Sequence, residues 1–342
     1  QFMRLISSAK NVPLIYQESK DQARSRFLEE LIWEEQKTKN DMVKIPVAKA
    51  NFKVEVSSHK KIYKKTPAMV EFLKGMRFSA SSVNMYLNNP AEFYFNYVLG
   101  LREKDNLLDD PEARHIGTFI HEHLEHCFRP FLGKKPVLDE KFRQQFNRTL
   151  DERFAATFGK NMKSDAFLLK SIIQERLSRF LENEADNAER RVEKLLYLEN
   201  KFEDVLELSC GKIKFGYVVD RVDKMNHGTV MIIDYKTGGL DIMPKAPEGL
   251  ANLEFSRESI RDYVKSFQLP LYFHYLNRHY PNDPINAALY NLRTLKIDTF
   301  ISEKNTMDRD QICQSYLKAL DSVMSEILNP EVNFIEDDTA QY

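Results

Sequence analysis

Cysteine is scarce in this chain. Its 342 residues include three cysteines, Cys127, Cys210 and Cys313, which lie far apart and form no CxxC spacing. Because their number is odd and their spacing is unpaired, the sequence excludes a disulfide framework and a structural zinc site built on CxxC pairs. We therefore expect the protein to work in a reducing compartment.

Long apolar segments are also absent. No stretch approaches the roughly 20 consecutive apolar residues of a membrane-spanning helix, and the beginning of the chain lacks the order of a signal peptide. These absences predict a cytoplasmic protein with no membrane partner. Apolar residues make up 42% of the chain and charged residues 30%, so the chain can bury a sizeable core and does not have the composition of a disordered protein.

The net charge is close to zero. Fifty basic residues against 51 acidic ones leave a charge of −1, which gives no indication of a nucleic-acid partner. One segment departs from this balance: between Lys44 and Lys65 there are seven lysines and one acidic residue, Glu55. Such a charge run is typical of a solvated linker, and contact with a nucleic-acid backbone is the alternative.

The periodicity of apolar residues predicts the order of the secondary-structure elements. Helices are expected over about 21–37, 78–97, 113–131, 138–159 and 165–197, with short strands at 12–16 and around 52–56. Three strands joined by tight turns follow at 202–208, 212–224 and 229–236, and then a helix at 257–278, strands at 287–292 and 296–301, and a helix at 309–328. This order predicts an α/β fold with a mixed central sheet of about five strands, flanking helices and a large helical region before the sheet.

The turn between the second and third of these strands sets a register. If Asn226, His227 and Gly228 form a three-residue loop with Gly228 in the left-handed conformation, Asp220 lies opposite Asp234. Their Cβ atoms would then be about 4.5 to 5.5 Å apart on one face, where two carboxylates repel each other unless a cation lies between them.

Lys236 shares that face. It follows Asp234 at about 6.7 Å along the strand, and Val218, Val230 and Ile232 continue the face as an apolar floor. Two carboxylates and an ammonium group suit a hard divalent cation and phosphodiester hydrolysis. The alternative is an ordinary surface ion pair between Asp220 and Lys236, with Asp234 solvated at a sheet edge.

The segments 216–223, GYVVDRVD, and 234–238, DYKTG, resemble the core of the PD-(D/E)XK nucleases, in particular the RecB-like branch that includes AddB-type nuclease domains. Three further motifs occur in that branch's order over residues 78 to about 275. The segment from Ser79 to Tyr97 is similar to its opening helix, 117–125 to its histidine motif, and Gln268 with Tyr272 to its final helical motif.

The resemblance implies a role for each matching residue. Asp220 and Asp234 would ligate Mg²⁺ or Mn²⁺, with His121 and the carbonyl of Tyr235 as further ligands. Lys236 would be the catalytic lysine, and the catalytic set would also include Gln268 and Tyr272.

Taken without the resemblance, these residues keep simpler interpretations. His121 fits a packed histidine, although Gly117, four residues earlier, would let its helix approach the sheet. Gln268 and Tyr272 fit an ordinary polar pair one helical turn apart, and Pro270 between them indicates either a first helical turn or a kink.

Several other residues limit the chemistry. An HExxH zinc motif would need a histidine at position 125, where Glu125 stands, so zinc-protease chemistry is excluded. Many RecB-like nucleases carry a cysteine where Asn89 precedes Pro90, and we therefore expect no iron–sulfur cluster. Arg221 and Asp223 lie on the opposite face from Asp220 and are expected to be structural or phosphate-contacting, and Glu199 is a candidate additional acid.

The expected organisation is a remnant of a helicase-like domain over 1–43, a basic linker over 44–75 and the nuclease domain over 76–330. The resemblance implies a metal-dependent DNA exonuclease that acts on single- or double-stranded linear ends in recombination and repair. It would be the C-terminal part of a larger AddB-like protein and would work beside a helicase subunit or domain. The alternatives are a catalytically silent nuclease fold that binds DNA or a helicase partner, and a sequence-specific endonuclease.

Overall fold

A computed structural model describes residues 25–39, 61–101, 113–159, 165–186, 192–238, 243–302 and 305–337. The chain divides into two units, Gln1–Ser58 and His59–Tyr342. The described part of the first unit is helix α1 (Arg26–Lys39), which carries ion pairs one turn apart. The strands expected at 12–16 and 52–56 lie outside the described residues, as do residues 44–60 of the basic segment.

The second unit contains two sheets. In the smaller sheet, β1 (Ile62–Tyr63) pairs with β8 (Phe334–Ile335). The strands of the larger one are β2 (Arg77–Phe78), β3 (Val192–Leu208), β4 (Gly211–Met225), β5 (Val230–Lys236), β6 (Ile285–Asn291) and β7 (Ile297–Thr299). Pairing is antiparallel from β3 to β4 to β5 and from β6 to β7, whereas β5 with β6 and β2 with β4 are parallel. The predicted mixed α/β sheet is confirmed.

The helices of the second unit have polar N-caps at several of their starts. Thr66, Ser79, Asn89, Asp139, Ser256 and Asp308 each accept a hydrogen bond from a first-turn amide. The helices are α2 (Pro67–Gly75), α3 (Ala80–Asn88), α4 (Pro90–Phe93), α5 (Ala113–Phe128), α6 (Glu140–Phe158), α7 (Asp165–Asp186), α8 (Arg257–Val264), α9 (Gln268–His279) and α10 (Arg309–Leu328). Of the helices in these described ranges, none has the length and apolarity that crossing a bilayer requires.

The larger sheet is covered on both faces. Val230 and Ile232 of β5 point into a core formed with α3, α9 and α10, whereas Ile233 and Tyr235 point into a second core formed with α5, α6 and α7. Alternate residues of β5 therefore serve two different cores, which explains why its sequence is apolar almost throughout.

Three predicted helices differ from the structure. The helix expected over 165–197 ends at Asp186, and β3 begins at Val192. The prediction extended too far because the charged residues of β3 alternate along an exposed strand face and have the composition of a polar helix. The helix expected over 78–97 is divided where Asn89 caps a new helix at Pro90. The helix expected over 257–278 is interrupted at Lys265, whose φ is +57°.

The segments that flank the expected nuclease domain pack within the second unit. Val70 and Leu73 of α2 are buried, and Lys65 Nζ donates to the carbonyl of Ile327 at 2.7 Å, at the end of α10. On the other side, Phe334 of β8 is fully buried. Residues 61–75 and 331–337 thus belong to the same packed unit as the sheet.

Candidate active site

The site lies where β4 passes from one neighbouring strand to another. Lys214 and Phe215 of β4 pair with β2, and residues 221–224 pair with β5. Between these segments, the carbonyl of Val218 accepts a hydrogen bond from the Tyr272 hydroxyl of α9 at 2.7 Å. A cleft of ≈ 390 Å³ opens here, and its lining includes the first residues of α3.

The predicted hairpin register is confirmed. Arg221 pairs with Ile233, the amide of Met225 donates to Thr229 O at 2.8 Å, and Gly228 has φ +88°. Asp220 and Asp234 are the next residues in that register, and both line the cleft.

The predicted apolar floor is confirmed in part. Val230 and Ile232 are buried beneath the carboxylates, but Val218 is 49% exposed. The assignment of Val218 to the floor is wrong because β4 has left β5 at that point and its outer face is open.

His121 lies between two carboxylates. Its Nδ1 atom is 3.3 Å from Asp220 Oδ1 and 3.7 Å from Glu199 Oε1. The second Asp220 oxygen accepts a hydrogen bond from the amide of Tyr235 at 2.6 Å, which fixes the carboxylate against β5. Gly117 lets α5 come this close, since a Cβ there would be 3.0 Å from Thr237 Oγ1.

The electrostatics of this group favour a cation. Burial opposes protonation of His121, but hydrogen bonds to Asp220 and Glu199 and the field of Asp220 and Asp234 outweigh it and raise the pKa of His121 to about 10. One ligand atom each from His121, Glu199 and Asp220 lie within 4.8 Å of one another. An imidazole nitrogen and two carboxylates form a donor set that suits a divalent metal ion.

Asp234 belongs to a second cluster in the same cleft. Its Oδ2 atom is 2.7 Å from Lys236 Nζ, and its Oδ1 atom accepts from Gln268 Nε2 at 2.5 Å. Gln268 also accepts from Lys236 Nζ at 2.9 Å and donates to the Tyr272 hydroxyl at 3.1 Å. Pro270 lies in the first turn of α9, which resolves the alternatives left by the sequence.

These contacts bear on the alternatives for the second cluster. Asp234 is 4% exposed, and its ion pair is with Lys236, so it is not a solvated residue at a sheet edge. Burial and the charge of Asp220 raise its pKa, against the opposing charges of Lys236 and His121. Gln268 and Tyr272 contact Asp234 directly, and they are therefore not an ordinary polar pair on a helix surface.

The two clusters do not contain the same residues as the predicted metal site. The ligand atoms within 4.8 Å among the described residues come from His121, Glu199 and Asp220, and Asp234 is not a member of that group. Metal ligation by Asp234 and by the Tyr235 carbonyl stays a prediction, and so do the catalytic roles of Lys236, Gln268 and Tyr272.

Glu199 is the site residue whose position was predicted wrongly from the sequence. Sequence periodicity places it before the first strand, but it lies within β3, between Leu198, which pairs with Arg221, and Asn200, which pairs with Val219. It therefore lies across from Asp220, with a φ of +42°. Extending the β3–β4 register backwards from the Gly211 turn would have revealed this position.

Behind the cleft, Arg221 is buried in a group of charges. Its guanidinium donates to Asp223 at 2.9 Å, to Glu184 of α7 at 2.9 Å and to the Tyr235 hydroxyl at 3.1 Å. Arg221 is 1% exposed. The prediction that Arg221 and Asp223 lie on the face opposite Asp220 is confirmed, and their contacts tie β4, β5 and α7 together.

The family model of the PD-(D/E)XK nuclease superfamily matches residues 77–342. The chain belongs to this superfamily. The match includes every residue of both clusters, so the cleft between β4, β5, α5 and α9 lies in the superfamily's nuclease core.

Curated relatives of this PD-(D/E)XK protein match about half of it. A Streptococcus uberis protein, named as a subunit of an ATP-dependent helicase/deoxyribonuclease, is 27% identical over 165 residues, 47% of this chain and 14% of that protein. The protein of the same name from Streptococcus agalactiae serotype V is 25% identical over 169 residues, again 47% and 14%. An uncharacterized protein of Rickettsia typhi is 27% identical over 179 residues, 51% of this chain and 20% of that protein. The match thus covers a fifth or less of these relatives' lengths.

Proposed function

We propose that this chain is a metal-dependent deoxyribonuclease, an exonuclease that hydrolyses phosphodiester bonds at the ends of linear DNA in recombination and repair. The observation that supports this most directly is that His121 and Asp220, with Glu199 beside them, line the same cleft as the Asp234–Lys236 pair. Superfamily membership supports the nuclease chemistry, and the RecB-like motifs support the dependence on ends.

The metal would be held by His121, Glu199 and Asp220, with Asp234 as a further carboxylate. Mg²⁺ or Mn²⁺ is proposed because carboxylate oxygens dominate the donor set. When bound, such an ion neutralises phosphate charge and lowers the pKa of water. The amide of Tyr235 holds Asp220 in place by its hydrogen bond to the second carboxylate oxygen.

Lys236 and Gln268 lie on the other side of the cleft and form a hydrogen-bonded group with Asp234. Lys236 is partly exposed, so its ammonium group can reach a phosphate oxygen or a water molecule while it remains beside Asp234. Gln268 accepts a hydrogen bond from Lys236 with its amide oxygen and donates to Asp234 and Tyr272 with its amide nitrogen. These three bonds fix the relative positions of Lys236, Asp234 and Tyr272. A preorganised charge of this kind stabilises the transition state of phosphoryl transfer.

A helicase subunit or helicase-like domain is the proposed partner. The names of the streptococcal relatives combine a helicase with a deoxyribonuclease, and the matched region is a small part of those proteins. A nuclease beside a helicase would receive DNA ends as they are unwound.

The test compares wild type with Lys236→Ala and Asp220→Asn on end-labelled linear DNA, single- and double-stranded, in Mg²⁺, in Mn²⁺ and in EDTA, with a closed circle as control. We expect wild type to degrade linear DNA with a metal and to spare the circle, and both variants to lose activity. Cleavage of the circle would support the endonuclease alternative. Wild type that binds DNA but is inert with and without a helicase would support the silent scaffold.

A further inference from the structure

One face of the long β3–β4 hairpin is exposed and leads away from the cleft. On the other face, Leu206, Ile213, Phe215 and Tyr217 are buried in the core. The residues that alternate with them are exposed, apart from the half-buried Gly216, and we call this set the open ribbon face: Lys201, Glu203, Val205, Glu207, Lys212, Lys214, Gly216 and Val218.

The open ribbon face is continuous with the candidate active site. Gly216 and Val218 line the same cleft as Asp220. Because a strand advances about 3.3 Å per residue, Lys201, which lies opposite Val218, is about 7 Å from the level of Asp220, and Lys214 is about 20 Å from it. A substrate strand that leaves the cleft along β4 would follow this face.

The charge on the face is positive after its ion pairs are counted. Glu207 pairs with Lys212 at 2.9 Å, and Glu203 pairs with Arg77, whose side chain lies beside Gly216. Within the part of the chain that the structure describes, Lys201 and Lys214 form no ion pair with an acidic side chain. Two cations thus remain for a polyanion on this side of the cleft.

Each of these lysines lies directly across from an exposed valine. Lys201 pairs with Val218, which is 49% exposed, and Lys214 pairs with Val205, which is 45% exposed. A cation beside an apolar surface can bind a phosphate and an unpaired base at once. Bases in a duplex are already stacked and paired, so only an unpaired strand has base faces to place against these valines.

We propose that the open ribbon face binds one single strand of DNA on its way to or from the catalytic cleft, with phosphates on Lys201 and Lys214. This rests on the proposed function, because the occupant is the substrate of that cleft. The track runs about 20 Å from the level of Asp220 to Lys214, and an unstacked strand, which is longer per nucleotide than the about 3.4 Å rise of duplex DNA, would span it with fewer than about six nucleotides.

The test measures binding of a labelled oligothymidine of about 12 nucleotides, which is longer than the track, in EDTA across a series of salt concentrations. The variant is Lys201→Gln with Lys214→Gln, and the matched control is Lys141→Gln with Lys318→Gln, which removes the same charge from exposed positions of α6 and α10 that are not part of the open ribbon face. Each lost phosphate contact lowers the slope of log K against log salt by about 0.7, or about fivefold in affinity at about 0.1 M salt. We expect the variant's Kd to rise about 25-fold, the product of two such contacts, and the control's to stay at the wild-type value.

An equal response of variant and control would overturn the proposal, and so would tighter binding of a blunt duplex with the same dependence on the two lysines. Neither of these results would bear on the proposed nuclease activity, which is tested separately. If wild type degrades DNA while the variant binds like the control, the track is wrong and the nuclease stands. If affinity depends on the two lysines but wild type cleaves nothing, the track stands and the catalytic proposal fails.

Discussion

Glu199 and Asp220 lie across from each other in the β3–β4 ladder, and the Nδ1 atom of His121 is within 3.7 Å of a carboxylate oxygen of each. Two like charges at adjacent strand positions would destabilise the sheet without a cation to balance them. Protonated His121 balances the two charges in this structure, and a divalent ion that displaces its proton would take the same place.

Glu199→Gln should weaken metal binding while it preserves the shape of the side chain. Removal of one of the carboxylates from the donor set should raise the Kd for Mn²⁺ about tenfold or more, which corresponds to about 1.4 kcal/mol. Isothermal titration calorimetry checks this, with Glu193→Gln on the exposed part of β3 as a matched control. An unchanged Kd would show that Glu199 is not a ligand.

Gln268→Glu should lower kcat more than Gln268→Ala does. The alanine loses hydrogen bonds and should lower kcat about tenfold, as expected for bonds to charged groups. The glutamate places a second carboxylate where Gln268 Nε2 now donates to Asp234 Oδ1 at 2.5 Å, so repulsion adds to the loss. Steady-state rates on linear DNA distinguish the two variants, and equal activity of Gln268→Glu and wild type would contradict this geometry.

Gly117→Ala should impair the site through a steric contact. The new Cβ would be 3.0 Å from Thr237 Oγ1, a contact that either the Thr237 side chain or α5 has to relieve. We expect α5 to shift by a few tenths of an ångström and to move His121 relative to Asp220. We expect about a tenfold fall in kcat, since the ligand is displaced but retained. The Gly117→Ala, Thr237→Ala double variant should recover most of this loss, with Thr237→Ala as the reference. If kcat of the double variant does not recover, contact with Thr237 is not the cause of the loss in Gly117→Ala.

His123 should make the folded state sensitive to acid. It is fully buried against Phe146, and burial, with the charges of Arg153 and His126, lowers its pKa from 6.5 to about 3. Between these values the unfolded chain binds a proton that the folded chain excludes. This contribution to stability is therefore present above a pH of 6.5 and is lost as the pH falls.

Urea unfolding of wild type and His123→Leu at about pH 7.5 and about pH 5.5 measures this effect. The free energy of unfolding of wild type should fall by about 1.4 kcal/mol more than that of the variant between these two pH values. The same dependence on pH in both proteins would show that His123 is not the group responsible.

Much of the fold and part of the site were predictable because they depend on local patterns. The α/β class followed from apolar periodicity, and the helices near 113–128 and 309–328 begin close to where the apolar pattern places them. The end of α7 was not predictable, since charged residues of β3 have the same composition as a polar helix. Pro270 indicated a helix start or a kink in this region, but the position of the break at Lys265 could not be read from the sequence.

The shared face of Asp220, Asp234 and Lys236 can be read from the chain alone, because a three-residue turn and strict alternation along two strands set that register locally. Superfamily membership can be read in the same way, from motifs in a fixed order. Only the folded molecule shows that His121 joins Glu199 and Asp220, that Gln268 links Lys236 to Asp234, and that one face of the hairpin remains open. These relationships join residues that are far apart in the chain, and packing of helices on a twisted sheet, not local propensity, brings them together.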